Sequence, residues 1–567
     1  MIYSILNSHI EASFTVLQRN GRQTKKDMED AEQEGFERFL KWAANLGISD
    51  CPTNRSLQTK NPTCLGHSLS VSHFPDAGGR GLAAVRDIKK GELVLRVPKS
   101  VLITRDSLLK DEKLCSFVNN STYSSLSPTQ ILTVCLLYEM GKGKSSWWYP
   151  YLMHLPRSYD VLASFSEFEM QALQVDDAIW SAEKAVSKAK SEWKEANSLM
   201  DALQLKPQLL TFRAWIWASA TISSRALHIP WDEAGCLCPV GDLFNYAAPG
   251  EESNDLENMV HLTNASSLED TSLSNGADDS TGDQPGIGLE RLTLTNASSL
   301  EDTSLSNGQT TDDSTGDQPD IGLERLTDGG FDENMAAYCF YARKNYKKGN
   351  QVLLGYGTYT NLELLEHYGF LLNENPNDKV FIPLEPSMYS FISWPKVSMY
   401  IHQDGKPSFA LLSALRIWAT PPYQRRSISH LAYSGSQLSV DNEISVLKWI
   451  SKNCTMILSN MLTVIEEDCF LLSTIVKIKN LHNPTELRKL LCASGGEARA
   501  FIESSDPQKG KSGSELMFSG KTKRVIDRWE LAVQWRIRYK KILIDCISYC
   551  TVTINSLSSQ NILAMRT

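Results

Sequence analysis

Short runs of β-forming residues, punctuated by glycine, occur at two widely separated places in this chain, and the hydrophobic period between and after them is helical. SLSVSHF, GGRGLAAVRD and GELVLRVPKSVLIT lie between Ser68 and Thr104, with Gly78, Gly79, Gly81 and Gly91 among them. They read as a small sheet with a tight glycine turn. MAAYCFYARKNYKKGNQVLLGYGTY, from Met335, reads as paired strands around a Lys-Gly turn, and NLELLEHYGFLL as a short helix after it. Between these regions, from about Ser127 to Leu227, apolar residues recur at helical spacing, and they do so again from about Asp378 onward. The expected class is therefore α+β: a β-rich domain over 31–375 with a helical insert at about 105–225, then an all-α domain over 376–556.

The flanks and the middle read differently. Residues 1–30 are expected to be a disordered extension and 557–567 a tail. A few basic residues before Asp27 weakly suggest a transit peptide, against which Glu11 counts, and Met28 could be a start of its own. Phe36, Phe39, Leu40, Ala43 and Leu46 share one helical face that Gly47 terminates. LTNASSLEDTSLSNG begins at Leu262 and again at Leu294, each copy running on to IGLERLT. Its Ser, Thr, Asp, Asn and Gly content cannot repay the entropy of ordering, so 262–327 is expected to be a disordered, duplicated loop.

With 567 residues, 42% of them hydrophobic, the chain can fill more than one core. A net charge of -9 gives no global attraction to nucleic acid or anionic lipid, and neither a basic stripe nor a stacking platform stands out. No direct nucleic-acid partner is expected. Of twelve cysteines only Cys236 and Cys238 are close together, which fits neither a zinc site nor a disulfide framework and points to a reducing compartment. No apolar run approaches the roughly 20 residues that span a bilayer. The stretch from Ile457 to Ile475 is interrupted by Asn460, Glu466, Glu467 and Asp468, so no membrane association is expected.

Four segments carry the candidate chemistry. In Gly79-Arg80-Gly81-Leu82-Ala83 the glycines allow close approach of backbone to a ligand, although a glycine turn explains the segment alone. A phosphate loop would need a terminal Lys-Ser/Thr and a following helix, which are absent. Arg225 ends a Trp-rich helical segment, where a fixed cation can meet a carboxylate. Asp242 and Asn245 sit in the apolar PVGDLFNY, where polar groups need partners or a ligand. Finally Gly355-Tyr356-Gly357 precedes Asn361, Glu363 and Tyr368-Gly369-Phe370, two tyrosines separated by a short helix.

In this order (GxGL, an arginine at a helix end, DxxN, and YGxxxNxELLxxYGF) the segments resemble the SET-domain methyltransferases. They are most similar to the branch typified by the Rubisco large-subunit lysine methyltransferase and the actin-histidine methyltransferase, and within it to a plant subgroup. The resemblance runs from about Glu34 and includes WWYPYLMHLP, Trp147 to Pro156, and the helical C-terminal region. It implies a SET catalytic domain followed by a substrate-binding helical domain on which a protein substrate docks. It also implies a monomer, S-adenosylmethionine as methyl donor, and no metal. Residue by residue, it implies that the backbone around Arg80, Gly81 and Leu82 contacts the cofactor and that Arg225 holds its carboxylate end. Asp242, Asn245 and the Tyr246 backbone would line its amino-acid and adenine portions. Tyr356 matches the catalytic tyrosine, also at the cofactor, and Tyr368 a second tyrosine of the acceptor channel.

Two departures stand out. The family reads Asn-His where this chain has Asn245-Tyr246, and the duplicated loop enters shortly afterwards. In the actin-histidine branch the position of Tyr368 resembles a serine, so a tyrosine favours lysine as acceptor. Rival readings are a histidine methyltransferase and an inactive SET-fold binding module. Cytoplasm or nucleus is the expected location, with chloroplast the alternative.

Overall fold

The computed structural model describes residues 33–51, 63–74, 79–118, 123, 125–248, 327–389, 394–480, 496–505 and 520–564. The expected extension at 1–30 and almost all of the duplicated loop at 262–327 lie outside them.

Helix α1 (33–45) buries Phe36, Phe39 and Ala43. Strands β1 (Leu69–Phe74) and β2 (Gly79–Ala84) pair antiparallel, with Ser72 opposite Gly81. Strand β3 (Leu93–Pro98) leaves that hairpin for another sheet. Helix α2 (Pro128–Lys142) opens on a reciprocal cap: Ser127 Oγ accepts from the Gln130 amide at 3.2 Å, and Gln130 Oε1 from the Ser127 amide at 2.7 Å. Helices α3 (Asp176–Ala202) and α4 (Phe212–Arg225) follow, and then the hairpin β4 (Ala226–Ile229) and β5 (Asp232–Leu237).

Strands β6 (Asn245–Tyr246), β7 (Thr327–Asp332), β8 (Ala337–Ala342) and β9 (Gln351–Leu354) complete two sheets, ordered β1-β2-β9-β6 and β3-β8-β7. This corrects one sequence expectation. The runs on either side of the Lys-Gly turn do not pair with each other: β8 joins β3 and β7, whereas β9 lies between β2 and β6. The two runs face different partners across one core, which includes Leu82, Val94, Leu95, Phe340 and Val352.

Helix α5 (Asn361–His367) carries its own capping box, Thr360 with Glu363. The C-terminal region is not purely helical as expected, because strands β10 (Lys379–Val380) and β11 (Ile401–His402) pair at its start. Helices α6 (Phe409–Trp418), α7 (Val440–Asn460), α8 (Ile465–Asn480), α9 (Gly496–Ser505) and α10 (Gly520–Ala564) follow. α10 overruns the tail boundary drawn at 556, and Leu557 is buried within the core it shares with α7. By length and composition part of α10 could cross a bilayer. It packs instead on α7 and α8, with Arg536, Lys540, Leu543, Cys546 and Cys550 buried.

Candidate functional site

Sheet pairing brings three distant stretches together. β9 lies between β2, with Leu82 opposite Val352 and Ala83 opposite Gln351, and β6, with Asn245 beside Leu353 and Tyr246 beside Leu354. Gly81 sits at the centre of this junction. A Cβ there would fall 2.6 Å from Asn245 Nδ2, 2.8 Å from Gln351 Nε2 and 3.1 Å from the Phe74 ring, so a side chain at this position would displace both amides. Both amide nitrogens are buried and, among the described residues, have no hydrogen-bond partner. Buried polar atoms are rarely left so.

Next to this cradle, two tyrosines clasp each other's backbone. The Tyr356 hydroxyl donates to the Phe244 carbonyl, and the Tyr246 hydroxyl donates to the Gly357 carbonyl at 2.8 Å. The Ala247 amide donating to the Leu354 carbonyl at 3.1 Å extends the contact. Rings enclose a chamber around the clasp: Tyr356 stacks on Tyr368 with centroids 5.5 Å apart, Tyr246 lies 5.4 Å from Tyr356 and 6.0 Å from Phe370, and Tyr359 meets Tyr368 edge-on at 5.4 Å. Burial pushes the Tyr356 and Tyr368 phenols well above their ordinary value, so both stay protonated at neutral pH.

Arg225 and Asp242 turn out to be partners. Arg225 Nη1 reaches Asp242 Oδ2 at 2.9 Å and its carbonyl at 3.0 Å, Arg225 Nε donates to the Tyr159 hydroxyl at 3.2 Å, and the Tyr151 hydroxyl donates to Asp242 Oδ2 at 2.9 Å. Although burial opposes the charge, Asp242 and the adjacent phenols hold Arg225 firmly protonated. Just before this carboxylate, buried Val240 adopts φ +71°, which a β-branched residue rarely does.

Of the residues singled out from sequence, Gly81, Asn245, Tyr246, Tyr356 and Tyr368 are brought to the cradle and chamber. Arg80 places its guanidinium 4.3 Å over the Phe36 ring, and the Leu82 side chain is core. Sequence reasoning missed Gln351, Tyr359, Tyr151 and Tyr159. A polar residue heading the apolar strand QVLL was a usable signal for Gln351; nothing distinguished the others from ordinary aromatic packing.

A protein SET DOMAIN GROUP 40 from Arabidopsis thaliana is 51% identical to this chain over 533 residues, 93% of this chain and 98% of that protein. The chain belongs to the SET-domain methyltransferase family. The actin-histidine N-methyltransferase of Gallus gallus is 22% identical over 474 residues, 77% of this chain and 63% of that protein. Among solved structures, the SET domain of LSMT bound to lysine and AdoHcy superposes with a TM-score of 0.50 at 16% identity, covering 93% of each chain. Rubisco LSMT bound to sinefungin and monomethyllysine gives the same TM-score and coverage. No family model matches the chain. The plant subgroup and the mixed α+β SET fold expected from sequence are thereby established.

Proposed function

We propose that this SET-domain methyltransferase transfers methyl groups from S-adenosylmethionine to a lysine side chain of a non-histone protein. The cofactor part is supported by the cradle at Gly81: a bare backbone position and two buried amides without partners suit a ligand rich in acceptors. The cofactor supplies a methyl on a sulfonium whose positive charge is lost as the acceptor nitrogen gains one.

The observation that carries the lysine reading is how the chamber's hydroxyls are spent. The Tyr356 hydroxyl donates to the Phe244 carbonyl and the Tyr246 hydroxyl to the Gly357 carbonyl, and the Tyr368 ring meets Tyr359 edge-on. The phenol oxygens are left as acceptors facing an aromatic enclosure, a setting for an amine that carries N–H groups and becomes cationic. Free lysine has a pKa near 10.4, so its nucleophilic form is scarce at neutral pH. The apolar walls formed by Tyr246, Tyr359, Tyr368 and Phe370 disfavour the ammonium and supply the neutral amine. The same rings align it for in-line attack. No phenolate base is required, and the raised Tyr356 and Tyr368 pKa values fit that.

The protein substrate docks on the helical C-terminal region, which exposes Leu462 at 84% and Phe470 at 62% near the start of α8. We place the enzyme in the cytoplasm or nucleus. The test is incubation of the full chain with labelled S-adenosylmethionine and an undermethylated protein extract of its source. Label should enter protein and be lost in Tyr356→Phe. No transfer together with no calorimetric binding of S-adenosylmethionine would favour the inactive binding module.

A further inference from the structure

We infer that Arg528 of α10 is a positioning residue for methyl transfer: through the Asp160 carboxylate it holds the turn on which Tyr368 stands, a role that rests on the methyltransferase function proposed above.

Tyr368 closes α5 where two stretches of backbone touch. The Tyr368 and Gly369 amides both donate to the Leu364 carbonyl, at 2.9 Å and 3.0 Å, and Gly369 then turns with φ +78°. Its backbone lies against the peptide that joins Asp160 to Val161: a Cβ on Gly369 would fall 2.9 Å from the Asp160 carbonyl carbon and 3.0 Å from the Val161 nitrogen. Positive φ and close backbone approach both require glycine here. No side chain cushions the contact, so a shift of Asp160 is passed to the Tyr368 turn. Ser223 Oγ, donating to the His367 carbonyl at 3.2 Å, holds the same turn from α4.

Asp160 is held from its other side by α10. Its Oδ1 is buried and accepts no hydrogen bond among the described residues, and its ion pair is with Arg528, whose Nη1 is 3.6 Å away. Burial outweighs that cation and keeps the Asp160 carboxyl above its ordinary value. The Arg528 fork is set in turn by buried Glu169, whose Oε1 accepts from Nε at 3.0 Å and lies 2.9 Å from Nη2. Glu169 Oε2 accepts from the Ser166 amide at 2.7 Å. Meeting two carboxylates in two directions suits a planar guanidinium, and the compact ammonium of lysine cannot serve both in the same way. Tyr368 stacks on Tyr356, so movement of the turn reaches the acceptor chamber, while Arg225 keeps both of its bonds to Asp242. A misplacement of about 1 Å is enough to slow an in-line transfer.

The experiment measures the rate of labelled-methyl transfer into undermethylated extract at saturating S-adenosylmethionine, with the full chain carrying Arg528→Lys, Asp160→Asn or both. Arg416→Lys is the control for destabilisation alone, because Arg416 pairs with Glu443 elsewhere in the helical region. Each single variant should lose about fivefold to tenfold in rate, with S-adenosylhomocysteine affinity in calorimetry within about twofold. The double variant should lose no more than the worse single one, since both changes cut one link. Arg416→Lys should stay within about twofold of the wild type below its unfolding temperature. Hydrogen exchange on the same preparations should find the Tyr368 and Gly369 amides exchanging faster in Arg528→Lys than in the wild type or in Arg416→Lys. Unchanged rates in both single variants, losses that add in the double variant, an equal loss in Arg416→Lys, or unchanged exchange at Tyr368 and Gly369 overturns the assignment. A wild-type chain that transfers no methyl defeats the proposed function and not the link, which the exchange at Tyr368 and Gly369 then upholds or overturns.

Discussion

Tyr356 and Tyr246 are built as a reciprocal pair, each phenol holding the backbone that carries the other. Removing the Tyr356 hydroxyl in Tyr356→Phe should lower kcat by about 10²-fold, the scale of one oriented dipole lost beside migrating charge, with S-adenosylhomocysteine affinity within about twofold in calorimetry. Tyr246→Phe leaves the Gly357 carbonyl unmet but keeps the ring, so thermal unfolding should register a loss of about 1 kcal/mol and kcat should fall more than KM rises. The pH profile has a definite sign. Burial raises the Tyr356 and Tyr368 pKa values, so their protons are held through and beyond the ordinary tyrosine range. Initial rates should rise with pH as substrate amine is released and show no falling limb from tyrosine ionisation below about pH 10. At this scale the sequence was readable where residues carry a spaced motif, as Tyr356, Asn245 and Tyr368 do. Gln351 carries no motif; its meaning depends on β2 and β6 lying on either side of β9, a pairing that local pattern does not encode. The clasp was equally hidden, since a Tyr after Asn245 reads as a departure until its hydroxyl is seen to reach Gly357.

At the scale of elements, helix positions followed from apolar period and caps, as Ser127 with Gln130 and Thr360 with Glu363 illustrate. Strand partners did not. β8 and β9 have similar alternation and a turn between them, yet register across the core sends them to separate sheets. The long α10 was likewise cut short at 556, because polar SerSer and Gln residues near its end gave no sign of the face that packs on α7. α10 is anchored by buried charge. Asp468 of α8 accepts from Arg536 Nη2 at 2.8 Å and from Lys540 Nζ at 2.5 Å, and Arg536 Nη1 also donates to the Ala172 carbonyl of the helical insert at 2.6 Å. Burial acts against the Asp468 carboxylate, but the two cations outweigh it and hold its pKa below the ordinary value. A group depressed in this way stabilises the fold above its unfolded pKa, and that contribution is lost as pH falls through the native one. Asp468→Asn leaves two buried cations underpaired. Denaturant unfolding at neutral pH should show a loss of about 3–5 kcal/mol, and the variant's stability should depend less on pH below about pH 5.

Across the whole molecule, the β-rich domain and the helical region share α10, whose Arg528 also meets Glu169 at 2.9 Å. The backbone at Asp160 lies so close to Gly369 that a Cβ there would fall 2.9 Å from it, which ties the turn after Tyr368 to the same insert. The chamber's walls are thereby held from several directions. The order of motifs along the chain was enough to recognise the family and the mixed fold, because spacing survives where pairing cannot be read. For the acceptor nitrogen the sequence offers only the tyrosine at 368, because the shape of the chamber is not encoded in motif spacing. The most direct test is tandem mass spectrometry of the protein that the full chain labels from S-adenosylmethionine. A methyl mark on a lysine Nζ, absent when Tyr356→Phe replaces the wild type, is the result expected here. A mark on a histidine ring nitrogen would contradict the lysine assignment.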